Sequence, residues 1–147
     1  MTSLKNFLET IFNKETATDS GTAFHKKMQF IIIDEGIETG APDLIQEIKS
    51  RPELLPYFVK TAKTEVPIAG NVDGKFYSMR IDRLLINDAN KNIVFIDYKT
   101  DSDKTKFIEH YKEQFKKYTT LLKSAYPEYS VVGYILWKQD WTLDKII

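Results

Sequence analysis

The sequence predicts an α/β domain in which helices come first and a β-β-β-α-β unit then builds a mixed sheet. Apolar residues recur at helical spacing through residues 1–63, whereas residues 64–137 contain extended runs rich in Val, Ile, Phe and Tyr. A single long amphipathic segment separates the last two runs, which is typical of a crossover between parallel strands. The 147 residues contain no repeat and no linker rich in Gly, Ser or Pro, so we expect one domain over residues 1–147.

The front part of the chain is predicted to be helical. Apolar residues at helical spacing occupy 4–12, and a second such pattern runs over 24–32. Gly36 follows the second pattern and is expected to end its helix. Two shorter helices are predicted near 43–49 and 52–63.

Three strands are predicted in the middle of the chain, over 65–69, 75–86 and 92–98, because these runs are rich in β-branched and aromatic residues. The dipeptide Asp73-Gly74 between the first two runs is a strong hairpin signal. The polar run 87–92 is a turn between the second and the third. Connections this short pair neighbouring strands antiparallel, so we expect a meander.

A long helix is predicted over 104–124, because its apolar residues form one stripe at helical spacing. The last strand is predicted over 130–137, after Pro127. A strand, a crossover helix and another strand normally place the two strands parallel, which makes the sheet mixed.

Composition excludes several classes of protein. The chain contains no cysteine, which rules out disulfides, zinc–thiolate sites and iron–sulfur clusters. Its longest apolar run, Phe30 to Ile33, is far too short to cross a membrane, and Glu9 interrupts any secretory signal, so we expect a cytoplasmic protein. The 21 basic and 21 acidic side chains give zero net charge, which argues against coating nucleic acid by bulk electrostatics. It does not argue against an enzyme that acts on phosphodiesters.

A charged motif lies at the end of the third predicted strand. Asp97 and Lys99 are two residues apart, so both side chains leave the same face of a strand whose preceding residues are apolar. One interpretation is a solvated strand end with a local ion pair. The other is a binding site, because a charge at the end of a buried strand costs desolvation unless it binds something.

A second carboxylate is expected beside this motif. The meander would bring Asp82 alongside Asp97, and two converging carboxylates repel each other and raise a pKa unless a divalent cation neutralises them. Oxygen ligands without thiolates suit Mg²⁺ or Mn²⁺. The alternative is a surface ladder in which Arg80 and Arg83 neutralise Asp82.

Further polar residues lie on the predicted helices. His25 follows Gly21 by four residues, and Gln114 and Tyr118 share one face of the long helix. Each of them also has a structural interpretation, as a surface or core histidine and as a core tyrosine beside a glutamine at the rim of the core.

Taken in order, these residues resemble the RecB-like nucleases of the PD-(D/E)XK superfamily. The motifs are Gly21-x-x-x-His25, Glu65, Asp82, Asp97-Tyr98-Lys99-Thr100 and Gln114-x-x-x-Tyr118. The resemblance spans most of the chain and implies a restriction-endonuclease-like fold. Such domains often form the C-terminal nuclease part of UvrD-type helicases such as RecB and AddA. Ile81 stands where the superfamily has proline, and Asp97 stands where many relatives have Glu.

The resemblance implies a divalent-metal-dependent DNA nuclease with Mg²⁺ or Mn²⁺ as its cofactor. The implied metal ligands are an imidazole, two carboxylates and a main-chain carbonyl, from His25, Asp82, Asp97 and Tyr98. Lys99 would orient or deprotonate the attacking water, so the implied catalytic residues are Asp82, Asp97 and Lys99. The implied supporting or substrate-binding residues are Glu65, Gln114 and Tyr118.

The implied partners are DNA and a helicase, either as a separate subunit or as a missing domain. We expect exonuclease action with little sequence specificity, in recombination or repair, although the residues themselves leave endonuclease action open. The lysine-rich long helix is either a ridge that follows phosphates or a solvated helix face. Two other functions stay open: a catalytically inactive nuclease fold that binds DNA or acts as a scaffold, and a metal-independent interaction module.

Overall fold

The computed structural model describes residues 19–147, with side chains from residue 23 onward, so the helix predicted over 4–12 lies outside the described residues. The helices are α1 (Asp19–Met28), α2 (Pro42–Lys49), a 3₁₀ helix (Pro52–Tyr57) and α3 (Ile108–Ala125). The strands are β1 (Ile32–Asp34), β2 (Ile37–Thr39), β3 (Lys63–Val72), β4 (Lys75–Asn87), β5 (Asn92–Lys99), β6 (Ser130–Trp137) and β7 (Thr142–Lys145). Within the described part, no helix is both long and apolar enough to span a membrane.

The main sheet has five strands in the order β3-β4-β5-β6-β7. Strands β3, β4 and β5 form the expected antiparallel meander, and β5 and β6 run parallel because α3 connects them. The chain is therefore an α/β domain with a mixed sheet, as predicted. Strand β7, which pairs antiparallel with β6, was not predicted, so 130–137 is not the last strand.

The N-terminal part is less helical than the sequence pattern predicted. Helix α1 ends at Met28, and a small antiparallel hairpin, β1–β2, occupies positions that the pattern assigned to a helix and its end. The run of three isoleucines at 31–33 favours extended backbone because β-branched side chains restrict helical rotamers. Gly36 then supplies the positive φ of 76° that this tight turn requires.

The third predicted helix has the expected position, and the fourth is shorter and tighter than expected. Helix α2 begins with Pro42 in its first turn, where the missing N–H costs nothing. The segment after it is a 3₁₀ helix that stops at Tyr57 rather than near residue 63, because Pro56 inside it cannot donate to a continuing α-helical ladder.

Both faces of the sheet are covered where β5 and β6 lie. Phe24, Met28, Leu44 and Leu54 of the N-terminal elements pack on one face. Helix α3 packs on the other face. Alternate side chains of β5 enter the two clusters, with Phe95 under α3 and Ile96 under α1, so this strand is buried on both sides as its apolar run predicted.

Arg83 is the buried cation that connects the N-terminal layer to the sheet. It is 1% exposed, and its guanidinium lies over the ring of Phe58 at 4.3 Å. It donates four hydrogen bonds of 2.7 to 3.2 Å, all to uncharged oxygens: the Tyr98 hydroxyl and the carbonyls of Tyr57, Met28 and Ile31. Only a planar fork of several N–H groups can serve so many acceptors at once.

Replacing Arg83 by lysine is expected to destabilise the fold strongly. The ammonium of Arg83→Lys keeps the charge but has only three N–H groups on one atom, so at least one of the four oxygens loses its donor. We expect a loss of about 2–4 kcal/mol in the free energy of unfolding, measured by urea titration. Arg80→Lys, at a side chain that is 68% exposed, is the matched control and should change it by less than about 0.5 kcal/mol. Equal effects at the two positions would contradict this role of Arg83.

Candidate active site

The candidate site lies at the carboxyl end of β5, beside the middle of β4. Arg83 of β4 pairs with Ile96 of β5, and one further step along the two strands places Asp82 opposite Asp97. Asp82 Oδ2 accepts a hydrogen bond of 2.8 Å from the Tyr98 main-chain N–H. The meander therefore brings the two acids together, as the sequence predicted.

Helix α1 brings His25 to the same place. His25 Nε2 lies 2.9 Å from the Tyr98 main-chain oxygen and 3.8 Å from Asp82 Oδ2. The ring of Phe24, the preceding residue, packs edge-on against the buried ring of Tyr98, which fixes the helix end over the strand. The imidazole, one carboxylate and the main-chain carbonyl, all named from the sequence, are thus neighbours in space.

Lys99 and Asp97 form a buried ion pair on the α3 side of the site. Lys99 is 3% exposed and Asp97 is 5% exposed, and Lys99 Nζ lies 2.7 Å from Asp97 Oδ2. That oxygen nevertheless has no hydrogen bond of acceptable direction in the described structure. The ammonium also lies 4.3 Å from the centre of the Tyr111 ring, so a cation–π contact holds it in place. One carboxylate oxygen in a dry environment is left incompletely satisfied.

The electrostatics of the site favour a proton on Asp82 when no cation is bound. Burial is the main cause that raises the pKa of Asp82 well above its usual value, and the neighbouring charge and shared hydrogen bond of Asp97 raise it further. The Tyr98 N–H and the Lys99 ammonium oppose this shift but do not cancel it. Two carboxylates therefore face a single ammonium in a poorly solvated space.

The donor atoms suit a divalent cation in chemistry, and one pair of them has a suitable spacing. Two ligands that bind one Mg²⁺ at right angles, each about 2.1 Å from the ion, lie about 3.0 Å apart. His25 Nε2 and Tyr98 O are at this spacing already. Among the residues described, however, no group of three or more His, Cys, Asp and Glu side chains is close enough to hold an ion without rearrangement. Small shifts of the side chains would be needed on binding.

Glu65 lies at a kink opposite Asp82. Thr64 pairs with Arg83 and Val66 pairs with Ile81, which leaves Glu65 across from Asp82 with a left-handed φ of 52°. Its carboxylate lies 3.5 Å from the Arg80 guanidinium rather than at the centre of the site.

The arginines do not form the surface ladder that the sequence left open. Arg80 pairs with Glu65, and the Arg83 guanidinium points into the opposite cluster of the core, away from Asp82. Ile81 and Leu84 both pack beneath α3, so the alternation of faces along β4 is interrupted between them. Asp82 and Arg83 themselves point to opposite faces, as neighbouring residues of a strand normally do.

Gln114 and Tyr118 contact each other on α3, as their spacing predicted. Gln114 Nε2 donates to the Tyr118 hydroxyl over 2.9 Å, and this hydroxyl donates over 3.0 Å to the Arg80 carbonyl. Tyr118 is 2% exposed, so it holds the helix to β4, whereas Gln114 is half-buried at the rim. These contacts are compatible with both interpretations of the pair: residues that support the site, and a core tyrosine beside a glutamine at the rim.

Sequence reasoning missed Tyr111 and Asp101 as neighbours of the site. Tyr111 was expected only as part of the apolar stripe, yet its ring faces Lys99 and its hydroxyl donates to Asp101 Oδ2. Two features of the sequence could have indicated this contact. Tyr111 is a residue of the apolar stripe that carries a hydroxyl, three positions before Gln114, and Asp101 is an acid two positions after Lys99.

Removing the charge of Asp82 is expected to stabilise the protein in metal-free buffer. Because the folded pKa lies above the unfolded value of about 4, the native state loses stability as pH rises through that window. Asp82→Asn keeps an acceptor for the Tyr98 N–H. We therefore expect it to raise the free energy of unfolding at pH 7 by about 0.5–2 kcal/mol, with the gain fading below about pH 4.

Thermal melts in EDTA at several pH values measure this difference. Asp73→Asn, at an exposed position of the β3–β4 turn, is the control and should show no such pH dependence. A gain for Asp82→Asn that is as large at pH 3 as at pH 7 would contradict the electrostatic explanation.

Comparison with known proteins gives no family for this chain. No family model and no curated protein matches it. Among solved structures, SSO0001 aligns with 71% of this chain at 25% identity and a TM-score of 0.38. A protein of Eubacterium rectale named "Putative exonuclease" aligns with 98% of this chain at 12% identity and a TM-score of 0.48. The chain spans about half the length of these two structures, 50% and 57%. Neither alignment is close enough to carry an argument about function.

Proposed function

We propose that this protein is a divalent-metal-dependent DNA nuclease of the RecB-like branch of the PD-(D/E)XK superfamily. The observation that carries the proposal is the convergence of His25, Asp82, Asp97 and Lys99 with the Tyr98 carbonyl at the end of one buried strand. Two carboxylates confront one ammonium there, and one oxygen of Asp97 lacks a well-directed hydrogen bond. A dry site with excess negative charge is suited to bind a cation.

The residues that would hold the cation are His25, Asp82, Asp97 and the Tyr98 carbonyl. Three oxygens and one imidazole, with no thiolate, suit Mg²⁺ or Mn²⁺. When bound, such an ion polarises a phosphoryl oxygen and lowers the pKa of a coordinated water.

The chain's own residues supply position and charge around the phosphodiester. The Lys99 ammonium, held between Asp97 and the Tyr111 ring, would orient the attacking water and offset charge that develops on the phosphoryl group. Gln114, at the half-buried rim, would contact the backbone of the substrate strand. Contacts to phosphates carry no base information, so we propose little sequence specificity.

We propose further that the protein works as an exonuclease together with a helicase, either a separate subunit or a further domain. Hydrolysis at this site provides no means of opening or moving along a duplex. The chain has no Gly-rich phosphate-binding loop of the helicase type, so these actions need a partner.

A second candidate function is a catalytically inactive nuclease fold that binds DNA or acts as a scaffold. The contacts that favour it are the ion pair between Lys99 and Asp97 and the direct contact of His25 with the Tyr98 carbonyl, which hold these groups in place without an ion. Crystals soaked with Mn²⁺ separate the two functions, since anomalous density between Asp82 and Asp97 is expected only for the metal enzyme.

Removing either of two charged groups is expected to abolish DNA cleavage in protein that stays folded, and Lys99→Ala should also lower the free energy of unfolding because Asp97 loses its buried partner. Asp82→Ala removes a proposed metal ligand and Lys99→Ala removes the proposed activating group, so each should slow Mg²⁺-dependent cleavage by about 1,000-fold or more. The measurement is cleavage of end-labelled linear DNA and of circular DNA, with Mg²⁺ and with EDTA. Lys91→Ala, at an exposed lysine paired with Glu128, is the control and should cleave as the wild type does.

Cleavage that survives in purified Asp82→Ala or Lys99→Ala, or that continues in EDTA, would overturn the proposed mechanism. Degradation of linear but not circular DNA is the result expected of an exonuclease. Cleavage of the circle would instead assign an endonuclease.

A further inference from the structure

A cleft of about 550 Å³ lies between α3 and the β3–β4 hairpin, away from the candidate active site. Three lysines, an aromatic ring and hydroxyl groups line it. The lining residues that matter here are Asp73, Lys75, Tyr77, Lys116, Lys117 and Thr119. Neither the resemblance nor the site geometry gives this cleft a role.

Helix α3 leads from the active site to this cleft. Near its start, the ring of Tyr111 contacts Lys99, and further along the Tyr118 hydroxyl reaches the Arg80 carbonyl. On a neighbouring side of the helix, the Lys117 ammonium lies over the ring of Tyr77. The helix thus contacts β4 at Tyr77 and at Arg80, and Gln114 lies one turn before Lys117 on the same face of the helix.

Two lysines of α3 line the cleft together with one lysine of β4. Lys112 pairs with Glu109 on the exposed side of the helix, so it has its own counter-charge. Lys116 pairs with Glu113, and both line the cleft. With that pair set aside, Lys75 and Lys117 face the carboxylate of Asp73, which leaves the side chains named here with an excess of positive charge.

Two features show that the cleft is prepared for a polar ligand. The Lys117 ammonium lies 4.5 Å from the centre of the Tyr77 ring, which fixes a side chain that would otherwise lose conformational entropy on binding. The Thr119 hydroxyl is buried and has no hydrogen-bond partner among the described residues. A buried hydroxyl without a partner costs free energy, and a small shift of the cleft wall would let an acceptor such as a phosphate oxygen recover it.

We infer that this cleft holds the backbone phosphates of the nucleic-acid strand on which the active site acts, at a distance from the cut. The inference rests on the proposed nuclease function. Tyr77 and Asp82 are five positions apart on β4, which is roughly 16 Å of strand. At about 3.4 Å per stacked nucleotide, the phosphate in the cleft lies about five nucleotides from the scissile bond, and fewer if the strand is stretched.

The inference predicts a dependence on substrate length. The double variant Lys75→Gln/Lys117→Gln should lower kcat/KM for a single-stranded 20-mer through KM, whereas oligonucleotides of about four nucleotides or fewer should be cut as well as by the wild type. The loss of two phosphate contacts should lower the slope of log Kd against log salt by about 1.4. Taken from a 1 M reference down to 0.1 M salt, this slope change makes binding roughly 25-fold weaker. Fluorescence anisotropy of a labelled 20-mer in EDTA measures this binding without any cleavage.

Lys112→Gln tests whether the strand binds along the exposed side of α3 instead of in the cleft. Lys91→Gln is the control for the loss of any exposed lysine. Weaker binding by the cleft double variant, with Lys112→Gln and Lys91→Gln unchanged, supports the cleft. An equal effect of Lys112→Gln, or an equal loss on short and long substrates, would overturn it.

If the wild type binds the 20-mer through Lys75 and Lys117 but cleaves nothing in Mg²⁺, the nuclease function fails and the cleft stands. If the wild type cleaves and the double variant is unaffected, only the cleft fails.

Discussion

The buried guanidinium of Arg83 is the interaction on which the rest of the structure depends. It has no carboxylate partner among its four hydrogen bonds, so its charge is stabilised by the oxygens of two N-terminal segments and of Tyr98 together. Removing a charge from water is costly, and this cost is offset only if all these acceptors stay in place. Arg83 therefore holds the end of α1 and the 3₁₀ helix against the sheet. Because His25 lies on α1, the same contacts position the imidazole at the candidate site.

Tyr98 connects the buried Arg83 to the candidate site. Its hydroxyl accepts from Arg83 on one side of the sheet, while its main-chain N–H and carbonyl face Asp82 and His25. Burial raises the pKa of Tyr98 to about 12 even though Arg83 opposes the shift, so the hydroxyl stays neutral at physiological pH. One residue thus belongs to the core through its side chain and to the candidate site through its backbone. Asp82 and Arg83, adjacent in sequence, serve these two regions separately because successive side chains of a strand point to opposite faces.

The features that the sequence predicted are those controlled by local patterns. The Asp73-Gly74 turn and the polar run before Asn92 determined the meander, and the meander alone was enough to place Asp82 beside Asp97. The hairpin β1–β2 was missed because three consecutive isoleucines satisfy a helical and an extended pattern equally well. The roles of Arg83 and Tyr111 were missed for another reason. Arg83 binds a carbonyl 55 positions away, and no local periodicity reports such a contact.

The balance of charge at the site bears on whether it is a structural ion pair or a metal centre. A purely structural pair needs one carboxylate for Lys99, and Asp97 already supplies it at 2.7 Å. Asp82 is then in excess, and its raised pKa shows that the folded chain accommodates it better with a proton than with a charge. A proton and a divalent cation would therefore compete for the same oxygens, so cation binding would release a proton and strengthen as pH rises. A scaffold gains nothing from a second, largely buried acid that weakens its own fold, whereas the proposed metal site would use it as a ligand.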